Sequence, residues 1–214
     1  MSNFKALFPE TVSFQEIPKP GDYPLFGVEQ DMLNDLMPKV ADLFLMGRHA
    51  AHLALQNVGS EVFEIARGEQ REPVWPNGYT GSIAHTEGLA VAVAGSLDHV
   101  RGLGVDVEKS DREFRYPIQE KIASELEQKW ISENNEVKRE RTLALFSAKE
   151  AVFKSFFPLE RVYLNFLDVE FQTQERGFKA TLKKSAGMAW PVGFSFDVLQ
   201  TASKGYLVSA VSLI

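Results

Sequence analysis

The sequence contains no cysteine among its 214 residues. That absence excludes a disulfide framework, a zinc–thiolate site and a thiol nucleophile. Long apolar runs are missing as well. The longest lies around "GLAVAVAG", less than half of what a membrane-spanning helix needs. The opening MSNFKALFPE carries neither a charged n-region nor an apolar h-region, so no secretory signal is read there. A soluble, cytoplasmic protein without a membrane span is the expectation. Low-complexity segments are absent too.

Positive charge is scarce where it would matter for nucleic acid. The net charge is −6, whereas a general nucleic-acid binder carries a basic face. Residues 1–100 hold six Lys and Arg against thirteen Asp and Glu, and residues 101–214 hold seventeen against sixteen. The few cations of the first half, notably Arg48, Arg67 and Arg71, therefore stand out.

What is present is core-forming material: sixteen Phe and 44% hydrophobic residues, enough for one large domain or two small halves. The first thirty residues, with Pro9, Pro18, Pro20 and Pro24, read as an irregular lead-in. Residues 39–57 follow Pro38, stop before Gly59 and keep helical periodicity. "REPVWPNGYTG" is a turn-rich loop. Strands are predicted at 82–85, at 89–94 and over "GLGVDVE". Two helices follow, "PIQEKIASELEQKWISENN" and "EVKRERTLALFSAKEAVFKSF". The remainder reads as four strands: "VYLNFLDVEFQ", "GFKATLKK", "VGFSFDVL" and "GYLVSAVSL". Helix precedes strands in both halves, which hints at a duplicated α+β unit.

Alternation along "GLGVDVE" sends Leu103, Val105 and Val107 to one side and Gly104, Asp106 and Glu108 to the other. Two carboxylates then share a face with a glycine that leaves room. They repel unless a cation sits between them or the strand end is solvated. On the helix "FSAKEAVFKS", Glu150 and Lys154 are four apart. One reading is an i,i+4 ion pair worth a few tenths of a kcal/mol. The other adds Glu150 to Asp106 and Glu108 as a third oxygen ligand for a hard divalent ion such as Mg²⁺, with Lys154 beside a phosphate.

His85 ends a short strand and reads either as a structural residue or as a donor to an anion, as does the Ser82 hydroxyl. Arg48 and Arg71 suit phosphate forks or plain surface positions. The P-loop spacing is absent, no HExxH accompanies His49 and His52, and Ser147 has no neighbouring His to make it a nucleophile.

"GVDVE", followed about forty residues later by "FSAKEAVFK", resembles the paired signature of the Sfp-type 4′-phosphopantetheinyl transferases. "GRHAAHLAL" and "REPVWPNGYTGSIAH" resemble the subgroup typified by the enterobactin-synthase enzyme. The resemblance covers most of residues 40–160; the last fifty match only as generic strands. It implies an α+β monomer of two similar α/β halves, divided here as 1–101 and 102–214, with coenzyme A in the cleft between them. It implies transfer of the phosphopantetheine arm of coenzyme A to a serine of an apo carrier protein, releasing 3′,5′-ADP. Asp106, Glu108 and Glu150 match the family's magnesium ligands, and Lys154 its pyrophosphate lysine. His85 matches a histidine contacting coenzyme A phosphate. Arg48 and Arg71 fall at positions associated with coenzyme A, including its 3′-phosphate, and the loop holding Pro73 and Trp75 falls near the adenine.

The residue before the histidine is usually Ser or Thr in that family and is Ala84 here, so Ser82 or a backbone N–H is expected to replace that contact. Catalysis would rest on Glu150 as base, directly or through water, with Lys154 at the departing phosphate and His85 in support. Expected carriers belong to peptide, siderophore or polyketide synthesis. The alternatives are the fatty-acid carrier of primary metabolism, a non-catalytic coenzyme A binder, or a pyrophosphate hydrolase.

Overall fold

Six residues free of proline, Val12–Ile17, sit between Pro9 and Pro18 and form β1. The lead-in is thus not wholly irregular. Both prolines fall outside the ladder, so neither removes a hydrogen bond from it. The structure is a computed structural model that describes residues 3–34 and 36–214.

After β1 come α1 (Glu29–Asn34), α2 (Pro38–Asn57) and the short β2 (Ala66–Arg67) and β3 (Pro73–Val74). The hairpin β4 (Tyr79–Thr86) and β5 (Leu89–Ser96) follows, then β6 (Gly102–Lys109). Next are α3 (Gln119–Ile122), α4 (Glu125–Ser132) and α5 (Lys138–Glu160). The chain ends with β7 (Val169–Gln174), β8 (Gly177–Leu182), β9 (Ser195–Ser203) and β10 (Tyr206–Leu213). No described helix is long and apolar enough to cross a membrane.

Two departures from the sequence pattern have local causes. The helix expected across residues 117–135 is split at Ser124, which caps α4: its hydroxyl accepts from Glu127 N–H while the Glu127 carboxylate accepts from Ser124 N–H. The strand expected from residue 162 begins only at Val169, because Asn165 and Asp168 close a 3₁₀ turn, Asn165 N–H donating to Asp168 Oδ2 at 2.8 Å.

The strands form two main antiparallel sheets, β1-β5-β4 and β6-β10-β9-β8-β7. In each, the first strand is followed by a long helix and the last strand returns beside the first. The duplication hinted at by element order is therefore a repeated topology. α2 lays Ala50, Ala51 and Ala54 against Ala90, Ala92 and Ala94 of β5, small side chains that let helix and sheet approach closely. α5 buries Leu145, Ala148, Val152 and Phe156 against the second sheet.

The sheets meet through Val91 and Val93 of β5 and Leu103, Val105 and Val107 of β6. One polar tie crosses there: Val105 N–H donates to Ser82 Oγ at 3.1 Å.

Candidate active site

β6 shows its apolar residues to the first sheet, so Gly104, Asp106 and Glu108 face α5. A Cβ on Gly104 would collide with the Ala151 carbonyl, and one on Gly102 would lie 2.7 Å from that of Ser155. The room left by Gly104 is taken by the helix backbone rather than by a ligand. This close approach sets Glu150 and Lys154 over the two β6 carboxylates.

Lys154 donates to Asp106 Oδ1 at 2.7 Å, and Glu108 is bonded to Arg112. Arg112 is held in turn between Phe114 and Phe146, 5.0 and 4.8 Å from their ring centres. Asp106 and Glu108 are buried, and Asp106 Oδ2 has no hydrogen-bond partner among the described residues. Burial pushes the Glu108 carboxyl above the usual range, with Asp106 adding to the rise and Arg112 opposing it. Burial raises Glu150 likewise, against the pull of Lys154 and with a further push from Asp106. Lys154 goes the other way from what burial alone would do: Asp106, then Glu150 and Glu108, hold its pKa above the usual lysine range.

Among the described residues no group of three or more His, Cys, Asp or Glu side chains is arranged to hold a metal ion. The expected triad of Asp106, Glu108 and Glu150 is therefore not gathered as a cage. The reason is visible: Lys154 and Arg112 draw two of the carboxylates toward protein cations. The donor set is nonetheless all oxygen, short of positive charge and left with an unpartnered buried Asp106 Oδ2. In that chemistry it fits a hard divalent cation.

Two cavities adjoin the cluster. One of about 590 Å³ gathers Arg48, Arg67, Arg71, Pro73 and His85. A second, of about 270 Å³, shares Arg71, Pro73 and Ile83 with it and extends to Lys154 and Phe153. Three of the six cations of the first half thus converge on one continuous cleft. His85 is exposed at this cleft, where desolvation by the surrounding walls and then the Lys154 charge lower its pKa. A groove of about 570 Å³ lies beyond, bordered by Glu150, Phe153, Tyr163 and Leu167. Phe153 and Tyr163, packed edge to face at 5.1 Å, line both this groove and the smaller cavity of the cleft.

Other expected residues lie differently. Trp75 borders neither cleft cavity; it packs on the first half's core and stands where a side chain at Gly81 would be. Ser82 borders the smaller cavity, but its oxygen already accepts from Val105 N–H. Ala84 shares the Ser82 face of β4 and is buried between the sheets. A hydroxyl there would face core, while Ile83 and His85 face the cleft. Ser147 is locked to Ser209 by a 2.7 Å hydrogen bond inside the core.

Sequence reasoning passed over Lys149, Arg112 and Glu29. Lys149 Nζ is a buried structural cation bonded to Glu127 Oε2 at 2.8 Å and to the carbonyls of Phe166 and Val169.

Residues 29–95 match the sequence model of the 4′-phosphopantetheinyl transferase N-terminal domain, and residues 102–208 that of the 4′-phosphopantetheinyl transferase superfamily. The chain is similar to 4′-phosphopantetheinyl transferase PptT of Mycobacterium tuberculosis, 32% identical over 161 residues, covering 74% of this chain and 70% of that one. It is similar to 4′-phosphopantetheinyl transferase Npt of Nocardia iowensis, 29% identical over 147 residues, covering 69% and 65%. Enterobactin synthase component D of Salmonella typhi is 34% identical over 113 residues, covering 52% of this chain and 46% of that one.

Proposed function

The chain belongs to the 4′-phosphopantetheinyl transferase superfamily, and from that membership we propose that it loads apo carrier proteins of peptide, siderophore or polyketide synthesis. It moves the 4′-phosphopantetheine arm of coenzyme A onto a carrier serine and releases 3′,5′-ADP. It acts as a monomer whose halves divide between residues 101 and 102. That division is supported by the strands, since β1, β4 and β5 fall in one sheet and β6 to β10 in the other.

The observation that carries this reading is the junction at Lys154. The arginine-lined cleft ends there, and the same ammonium bonds Asp106 in the carboxylate cluster. A polyphosphate donor suits the cleft, with Arg48, Arg71 and His85 at its phosphates and Pro73 along its wall. Glu150 borders the other groove, beside Phe153 and Tyr163, and that is where an acceptor hydroxyl would enter. Donor and acceptor would then meet over α5, where Glu150 and Lys154 stand one turn apart and Phe153 and Tyr163 line both cavities.

In this reading Glu150 takes the serine proton. The hydroxyl oxygen attacks the phosphorus bearing the pantetheine arm while the bond from that phosphorus to the bridging oxygen breaks. Lys154 and the arginines stabilise the charge left on 3′,5′-ADP. Asp106, Glu108 and Glu150 would hold Mg²⁺, which when bound neutralises pyrophosphate charge. Similarity to enterobactin synthase component D supports the choice of carrier.

The test is the mass of an apo peptidyl carrier protein after incubation with the protein, coenzyme A and Mg²⁺. A gain equal to the phosphopantetheine arm is expected. Release of phosphopantetheine with the carrier unmodified would make the protein a hydrolase instead.

A further inference from the structure

Glu29 is fully buried on the first turn of α1, its carboxylate set among two backbone N–H groups, an imidazole and a guanidinium. Its Oε2 accepts from Phe26 N–H at 3.0 Å and its Oε1 from Ile65 N–H at 3.1 Å. His52 Nε2 stands 3.0 Å from both oxygens. Arg48 Nε lies 3.7 Å from Oε1. Burial works to raise the Glu29 pKa, but His52 and the two backbone donors together hold it below the usual carboxylate range.

Among the described residues Arg48 is gripped on one side. Glu29 holds the Nε edge, and the Phe44 ring lies 5.1 Å from the guanidinium carbon. The other edge is poorly served. Nη1 is buried with no partner among the described residues, and Nη2 has only the Met32 sulfur at 3.9 Å. Arg67 borders the same cavity and repels Arg48 across it. A buried guanidinium edge without acceptors is costly, and an anion in the cleft would relieve both the missing bonds and the repulsion.

We propose that Glu29 is a positioning residue for anion binding: it anchors Arg48 by Nε and leaves the under-bonded Nη groups at the wall of the cleft for an organic phosphate to engage. The inference rests on the assignment of the cleft to coenzyme A. His52 completes the anchor by fixing the carboxylate plane. The ordering cost of a long, flexible side chain is met before the ligand arrives, and binding is tighter for it.

The experiment is a double-mutant cycle read by isothermal titration of coenzyme A into the wild-type protein, Glu29→Gln, Arg48→Ala and the double variant. The calorimetric stoichiometry counts only the folded fraction, so lost stability does not mimic weakened affinity. Glu29→Gln keeps the side-chain shape and an acceptor for only one of the two backbone donors, and loses the charge. Its Kd is expected to rise on the order of tenfold, an effect that disappears in the Arg48→Ala background. Should Glu29→Gln fail to fold, Glu29→Asp, charged but one carbon short, is expected to weaken binding in the same Arg48-dependent way. An unchanged Kd, or equal weakening with and without Arg48, overturns the positioning role. Wild-type affinity in Arg48→Ala overturns the assignment of the cleft itself, and with it the inference.

Discussion

Lys154 reaches across from α5 to β6 and bonds Asp106 Oδ1 at 2.7 Å, rather than pairing with Glu150 one turn earlier on its own helix. The ammonium therefore ties the two elements that carry the carboxylates and stands at the end of the arginine cleft. A cation does sit beside the self-repelling face of β6, and it is supplied by the protein. Glu150 is left half-buried without that ion pair, and burial raises its pKa.

Asp106→Ala is expected to remove transfer activity while the protein stays folded. Lys154 then loses its nearest acceptor, so stability should fall modestly, by the roughly 1–3 kcal/mol of a broken charged hydrogen bond. Activity and thermal unfolding of the same preparation check both parts. Near wild-type transfer by the folded variant would move the reaction away from β6.

Arg71 carries a backbone φ of 69° and borders both cavities of the cleft. Only glycine adopts that conformation freely. Arg71→Gly and Arg71→Ala should lose coenzyme A affinity alike, by about 1.5–3 kcal/mol, and much less affinity for 3′-dephospho-coenzyme A. The glycine variant should be the more stable of the two by about 1 kcal/mol. Equal losses for both ligands would separate Arg71 from the 3′-phosphate.

A carboxyl whose folded pKa lies above its unfolded value binds more protons folded than unfolded between those two values. Stability therefore falls as pH rises through that window and stays lower above it. Glu150 and Glu108 both show this direction. In metal-free buffer, the melting temperature of Glu150→Gln relative to wild type should rise as pH is raised out of the ordinary carboxylate range, then level off. A difference that does not change with pH would mean that Glu150 ionises as freely in the fold as outside it.

Lys149 and Lys154 are five apart on α5 yet do different work. Lys149 is buried against Glu127 and two carbonyls, and breaking such a pair costs about 3–5 kcal/mol. Lys149→Ala should thus lower stability far more than Lys154→Ala, whereas Lys154→Ala should lower turnover more than its stability change accounts for. Urea unfolding alongside turnover separates the two lysines; equal stability losses would contradict the assignment.

The legible parts of this chain are those in which one short pattern suffices. α2, β4, β5, β6 and α5 follow from periodicity and from flanking Pro and Gly, while the spacing of Asp106, Glu108, Glu150 and Lys154 fits an ion-pair face as well as a ligand face until the family resemblance is added. β1 is hidden because prolines on both sides suggest coil, and its strand character comes from pairing with β5, some eighty residues away. Lys154 has its nearest sequence partner in Glu150, but its actual partner is 48 residues distant. Glu29 meets His52 and Ile65 across 23 and 36 residues, and a single carboxylate in a short helix carries no pattern that foretells such contacts. Trp75 and Ala84 turn toward core rather than cleft for a related reason: which side of a loop or strand faces the cleft depends on how the two sheets stack.

The most direct measurement is turnover of Glu150→Gln on an apo carrier protein at saturating coenzyme A and Mg²⁺, with Lys154→Ala and the double variant beside it. Glutamine keeps the side-chain shape and loses the charge and basicity. With Glu150 as the base, turnover falls about a hundredfold or more, Lys154→Ala is also slow, and the double variant recovers nothing. Near-normal turnover by a folded Glu150→Gln would contradict the account and leave Glu150 a half-buried carboxylate on an amphipathic helix.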